Sequence, residues 1–146
     1  MAEGETLPTG NTLLIDAVET KTTIYLEADY NYYILRLNQG DGDSPYFTDI
    51  VSVKYEGISI NQALDGNNKS FDSSVLPALF NLQTGLNSTG VIQAWQLVMP
   101  TFNASSGYDI DESGNVDFTN PGLGVMFVPS GLAFFHQQVQ VILMII

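Results

Sequence analysis

Two stretches of this chain hold residues whose types and spacing could do chemistry. In "DIDESGNVDFTN", Asp109, Asp111, Ser113, Asn115 and Asp117 fall at the first, third, fifth, seventh and ninth positions, with Gly114 at the sixth. That is the oxygen-ligand spacing of a calcium loop, and the chemistry would be coordination of a hard cation that braces the segment. The twelfth position is Asn120 rather than a bidentate glutamate, and neither "SSGY" before nor "PGLG" after has a helical pattern. A hydrated acidic loop accounts for the same residues. The second stretch, "GVIQAWQLVM", holds Trp95, the only tryptophan, which is either a core residue under a helix or the floor of a site.

Other chemistries are poorly supplied. His136, the only histidine, has no serine or carboxylate motif around it and reads as a surface or loop residue. No cysteine is present, so there is no disulfide framework and no thiolate metal site. Against 16 acidic residues stand only Lys21, Arg36, Lys54 and Lys69, a formal net charge of -12. Four scattered cations cannot gather the positive field that phosphates need, so nucleic acid is excluded as a partner.

The elements that must position these residues follow from periodicity. A chain of 146 residues suits one domain with frayed ends. With 45% hydrophobic and 14% charged residues it reads as a strand-rich globular protein. "YILRL" sets Tyr33, Leu35 and Leu37 against Ile34 and Arg36, and "DIVSVKYEG" sets Val51, Val53 and Tyr55 against Ser52, Lys54 and Glu56. Both show the period-2 pattern of half-buried strands. "NQGDGDSP" between them reads as a turn, and a bulge near Gly57 would bring Ile58 and Ile60 back into phase. In the tryptophan stretch, Val91, Ile92, Trp95, Val98 and Met99 recur at three and four residues, which predicts a helix of about two turns stopped by Pro100. "VMFVP" and "VQVILMII" read as strands, and "SGLAFF" as a loop. The pattern is α+β, an antiparallel sheet wrapped around one short helix. The first residues lack a signal-peptide pattern, and no apolar run reaches the roughly 20 residues that span a bilayer, so the chain as given reads as soluble, without a transmembrane segment.

Four of these pieces occur in one order, "VSVKYEGISI", "SFDSS", "GVIQAWQLVM" and "VPSGLAFF", over about residues 51–135. Together they resemble the FKBP-type peptidyl-prolyl cis–trans isomerases. The resemblance implies an antiparallel half-barrel around the helix, with residues 1–30 as an N-terminal extension, 31–146 as the FKBP-like domain and an acidic insertion at about 103–122. It assigns the pocket to Tyr55, Phe71, Asp72, Phe80, Val91, Ile92, Trp95 and Phe134, with Trp95 as its floor. Phe80 reaches its place only with a one-residue shift, and Phe134 stands where the family has tyrosine. Only "HQQVQ" separates Phe135 from "VILMII", where the family carries a flap over its pocket.

The activity so implied is rotation about X-Pro bonds of protein or peptide substrates, assisting folding, with no cofactor. The amide barrier is about 18–20 kcal/mol, and lowering it requires no nucleophile or base. On this reading the aromatic residues wall a dry pocket for the proline ring, the Ile92 N–H holds a substrate carbonyl at the helix start, and Asp72 is a polar handle. The alternative is a binding or chaperone module on the same fold, gripping apolar or proline-containing segments without useful catalysis. A third reading is a calcium-stabilised structural protein. The acidic insertion and low lysine content resemble extracytoplasmic members of the family, of the periplasm or cell surface, more than compact cytosolic ones.

Overall fold

Alternation of β-branched and aromatic residues builds most of this chain. A computed structural model describes residues 6, 8–83, 91–133 and 140–146. After a single helical turn, α1 (Leu14–Ala17), "ETKTTIY" forms β1 (Glu19–Tyr25), which pairs along its whole length with β2 (Ala28–Asn38). Next come β3 (Ile50–Ser59), α2 (Ile60–Leu64), β4 (Ser70–Ser73), β5 (Ala78–Asn81) and α3 (Gln93–Val98). A 3-10 turn at Met99–Thr101 leads to β6 (Gly107–Ile110), β7 (Val116–Thr119), β8 (Leu123–Val128), a second 3-10 turn at Ser130–Leu132, and β9 (Gln140–Ile145).

The main sheet runs β1-β2-β8-β9-β3-β4, antiparallel throughout, with β5 beside the first half of β3. One core joins its inner face, Ile34, Val53, Met126, Val128 and Ile142, to Trp95 and Val98 of α3. The architecture is therefore the expected antiparallel sheet packed on one short helix; α1 and α2 are turns of four and five residues at the periphery. The first thirty residues, expected as an extension, contribute β1 and the start of β2 to the sheet, so the 30/31 boundary falls inside β2.

Several sequence expectations change here. In β2 the buried residues are Tyr32 and Ile34, while Leu37 is 54% exposed. The inner face continues with Arg36, whose guanidinium stacks 4.1 Å from the Phe102 ring centroid and bonds to Glu19 and to the Thr101 carbonyl oxygen, each at 2.7 Å. Cation–π contact and pairing make an arginine acceptable where the alternation would place leucine. In β3, Val51, Val53 and Tyr55 do face the core, and Gly57 and Ser59 continue the same face. The register shift expected near Gly57 exists, but the extra residue is Phe71 of β4, between Ser70 opposite Ile58 and Asp72 opposite Gly57. β3 itself keeps an even register against β9, and Ile60 leaves the strand to begin α2. Pro100 sits inside the 3-10 turn that extends α3: its ring forbids a further α-type bond, and Phe102 N–H bonds instead to Met99 O.

The polar stretch after α3 is a hairpin, not a loop. β6 and β7 pair in register from Gly107 opposite Thr119 to Ile110 opposite Val116. Its base is held by "NQGDGD", which does more than turn: Gly42 N–H bonds to Ala104 O, Ala104 N–H to Asp43 O, and Asn103 N–H to Gln39 O. A Cβ at Gly40 would lie 2.2 Å from the Asn103 carbonyl oxygen, so only glycine lets these backbones meet.

Candidate functional site

The second half of β3 carries the first candidate, Tyr55, on the inner face of the sheet. Its ring meets Phe80 of β5 at 5.3 Å between centroids and Trp95 of α3 at 5.8 Å, edge-on at 76°. Phe80 and Trp95 close the triangle at 5.0 Å. These are the separations of mutually attractive tilted and T-shaped pairs, so three rings from three elements fix one another. Phe80 reaches the triangle through β5, where it pairs with Val51, inner face to inner face. Gln96 ties the helix to the end of that strand, its Nε2 donating to Leu82 O at 2.6 Å.

Phe71 and Asp72 arrive from β4 at the other side of Tyr55. The bulge turns Phe71 over Gly57, where a Cβ would lie 2.5 Å from the ring; Gly57 is thus the seat of that phenylalanine. Phe71 remains 43% exposed and forms a rim rather than a buried wall. Asp72 Oδ2 accepts the Tyr55 hydroxyl at 2.9 Å. Burial and then this neighbouring carboxylate push the Tyr55 phenol up to about 12, so the hydroxyl stays protonated across the physiological range. Ser74, the last residue of "FDSS", locks the strand beneath: its Oγ accepts the Tyr55 N–H at 3.0 Å.

Trp95 is 4% exposed: its body lies in the core cluster and its ring completes the triangle. Val91 and Ile92 are buried at the entry to α3, where Ile92 is the N-cap and its carbonyl accepts the Trp95 N–H. The Ile92 N–H donates to no described residue, as a donor at a helix start often does not. The structure thus brings together Tyr55, Asp72, Phe80 and Trp95, with Phe71 at the rim and Val91 and Ile92 at the helix start. Phe134 and His136 lie outside the described residues. Gly57, Ser74 and Gln96 were not anticipated as site residues. The signals were present in "YEG", where glycine follows the tyrosine on the same face, and in the second serine of "FDSS".

The calcium-type spacing resolves differently. Asp109 and Asp117 face each other across the hairpin, and Asp111 lies at its turn. Asp111 Oδ1 accepts the N–H groups of Ser113 and Asn115, and Oδ2 accepts the Asn115 amide, all at 2.8 Å. The Asn115 amide first, and then these backbone donors, hold the Asp111 carboxyl below the usual carboxylate range. Three of the lone-pair sites on its two oxygens are thus engaged within the loop. Among the described residues no three acidic or histidine side chains converge on a point that could hold a metal ion. No described helix is long and apolar enough to cross a membrane.

Comparison with known proteins places this geometry in a fold. No protein-family model matches the chain, and no curated protein matches it by sequence. Solved structures do match. A peptidyl-prolyl cis–trans isomerase from Pseudomonas syringae pv. tomato superposes with a TM-score of 0.55 at 18% identity, covering 79% of this chain and 73% of that one. FkpA from Escherichia coli gives 0.56 at 18% over 85% of this chain and 49% of its own, so this chain spans about half the length of FkpA. The N-terminal domain of FKBP42 from Arabidopsis thaliana gives 0.51 at 11%, covering 88% and 91%.

Proposed function

We propose, for a chain with the fold of the FKBP-type peptidyl-prolyl isomerases, that it catalyses cis–trans rotation of X-Pro bonds in other polypeptides and so assists their folding. The observation that carries this reading is the aromatic triangle of Tyr55, Phe80 and Trp95 beside a tyrosine–aspartate hydrogen bond, at the start of a helix. Such a surface suits a proline ring, which has an apolar body and no N–H to satisfy. The chemistry asks for no bond breaking. A planar amide is charge-separated and favours water, whereas the twisted form has lost that resonance, so a dry aromatic wall disfavours the ground state more.

Each residue then has a task. Trp95 supports the ring from below, Tyr55 and Phe80 wall it, and Phe71 covers it from the rim. Asp72 fixes the Tyr55 hydroxyl, and with it the tilt of the tyrosine ring. The Ile92 N–H is the donor for a carbonyl of the substrate. Two-dimensional NMR exchange spectroscopy on a short X-Phe-Pro peptide tests the reading. The expected result is exchange faster than the uncatalysed tens to hundreds of seconds, lost in Phe80→Ala with the fold intact. No acceleration by the folded protein would remove the isomerase assignment and leave a binding module on the same fold.

A further inference from the structure

The other end of β3 carries a second surface that the aromatic site does not use. β4 and β5 lie end to end along one edge of β3: Ser73 stands opposite Glu56, Ser74 N–H bonds to Tyr55 O, and Ala78 stands opposite Val53. β9 takes the opposite edge but ends at Ile145, across from Lys54. Ile50–Val53 therefore has no strand on that edge among the described residues. A strand in that state presents alternate backbone N–H and C=O groups as a template for another chain.

Beside this edge runs a groove of about 590 Å³, a size that accommodates a ligand, lined by Ile50, Val51 and Ser52 and by Ile146 just past β9. Its far wall is the β6–β7 hairpin, which is two-faced. Tyr108 pairs with Phe118 and Ile110 with Val116 on one face, while the acidic pair Asp109 and Asp117 takes the other. Tyr108, Val116 and Phe118 line the groove. Ile50 and Tyr108 are each 64% exposed, so apolar surface is held in water on both walls. Asp43 and Asp49 also line the groove, and no lysine or arginine does. A second copy of a chain carrying -12 would bring like charge to an acidic rim, whereas a cationic segment would be drawn in.

We propose that this groove binds an extended segment of another protein, apolar at alternate residues and flanked by lysine or arginine, as an added strand on the open edge of Ile50–Val53. The inference goes beyond the isomerase reading and does not require it. Ser52 and Ile50 lie three and five residues before Tyr55 on one strand, roughly 10 and 17 Å by strand rise.

The probe is a proline-free peptide, acetyl-Lys-Val-Thr-Val-Lys-amide, titrated into the intact chain and followed by amide chemical shifts. Two counterparts accompany it, one with glutamate at both ends and one with its alternate backbone nitrogens methylated. Shifts at Ile50–Val53 and in the hairpin are expected, with the glutamate peptide about tenfold weaker or worse and the methylated peptide inert. Tyr108→Ala should lose binding while retaining the amide spectrum of the folded protein and any isomerase rate. Shifts confined to Tyr55, Phe71 and Trp95 would overturn the proposal, as would equal affinity for the glutamate peptide. Concentration-dependent shifts at the groove without peptide would mean a second copy occupies it, and no shifts at all would mean nothing of this chemistry does; either refutes the assignment.

Discussion

The aromatic triangle and the acidic hairpin contrast in how sequence distance relates to distance in space. Tyr55, Asp72, Phe80 and Trp95 are spread over forty residues, yet Tyr55 touches each of the other three. Asp109, Asp111 and Asp117 are near neighbours in sequence, yet the antiparallel register brings only Asp109 and Asp117 opposite each other, while Asp111 lies two residues on and accepts the N–H groups of its own turn. The difference teaches that ligand-like spacing means something only once the backbone between the ligands is known. A calcium loop winds its chain around one point; this segment runs out and back, so that two residues of strand rise, about 7 Å, part Asp111 from the Asp109–Asp117 pair.

Perturbing each region sharpens that contrast. Trp95→Ala should have the largest effect, because it empties a core position and removes one ring of the triangle. A loss of about 3–5 kcal/mol is expected, visible as a lower urea midpoint. A small change in midpoint would mean that the tryptophan belongs to the pocket alone. Gly57→Ala should come next: the new methyl meets the Phe71 ring, and rearranging the rim is expected to cost about 1–3 kcal/mol. Heteronuclear shifts confined to β4 would confirm that Phe71, rather than the β3 backbone, yields.

Tyr55→Phe removes one exposed hydroxyl-to-carboxylate hydrogen bond, about 1.5 kcal/mol at neutral pH, the low end for a charged acceptor. Its pH signature is more specific. The folded value near 12 lies above the ordinary 10.0, so the Tyr55 contribution is whole below pH 10 and is lost as pH rises toward 12. Denaturant midpoints measured across that window should fall less steeply in Tyr55→Phe than in the parent chain. Asp111→Ala should have the smallest global effect. Amide exchange within Gly107–Thr119 should accelerate while the rest of the chain holds its protection, and added calcium should leave the melting of the parent chain unchanged. A calcium-dependent melt would restore the cation-loop reading.

Much of the site was legible because its residues advertise their elements. Period 2 placed Tyr55 on the inner face with Val51 and Val53, period 3.6 placed Trp95 with Val98 and Met99, and the order of four motifs pointed to the fold. What escaped was whatever depends on a partner strand. β1 escaped because "ETKTTIY" buries too little apolar surface to show a clear alternation; its pairing with β2 supplies the missing stabilisation. The buried set in β2 is not legible in "YILRL", because alternation alone does not say which of its two faces turns inward. The Phe102 ring and Glu19, both distant in sequence, make the inner face suitable for Arg36.

By itself the sequence determined the class of the fold, the strand that carries Tyr55 and the helix that carries Trp95. Those follow from local alternation and from composition, which every residue reports independently. Tertiary structure alone decided that Phe71 is the bulge seated on Gly57, that the calcium-like run is a two-faced hairpin, and that β9 ends opposite Lys54, so that among the described residues one edge of Ile50–Val53 carries no strand. Register is the reason. A one-residue slip reverses which side chains meet, and no residue in either strand carries that information without its partner.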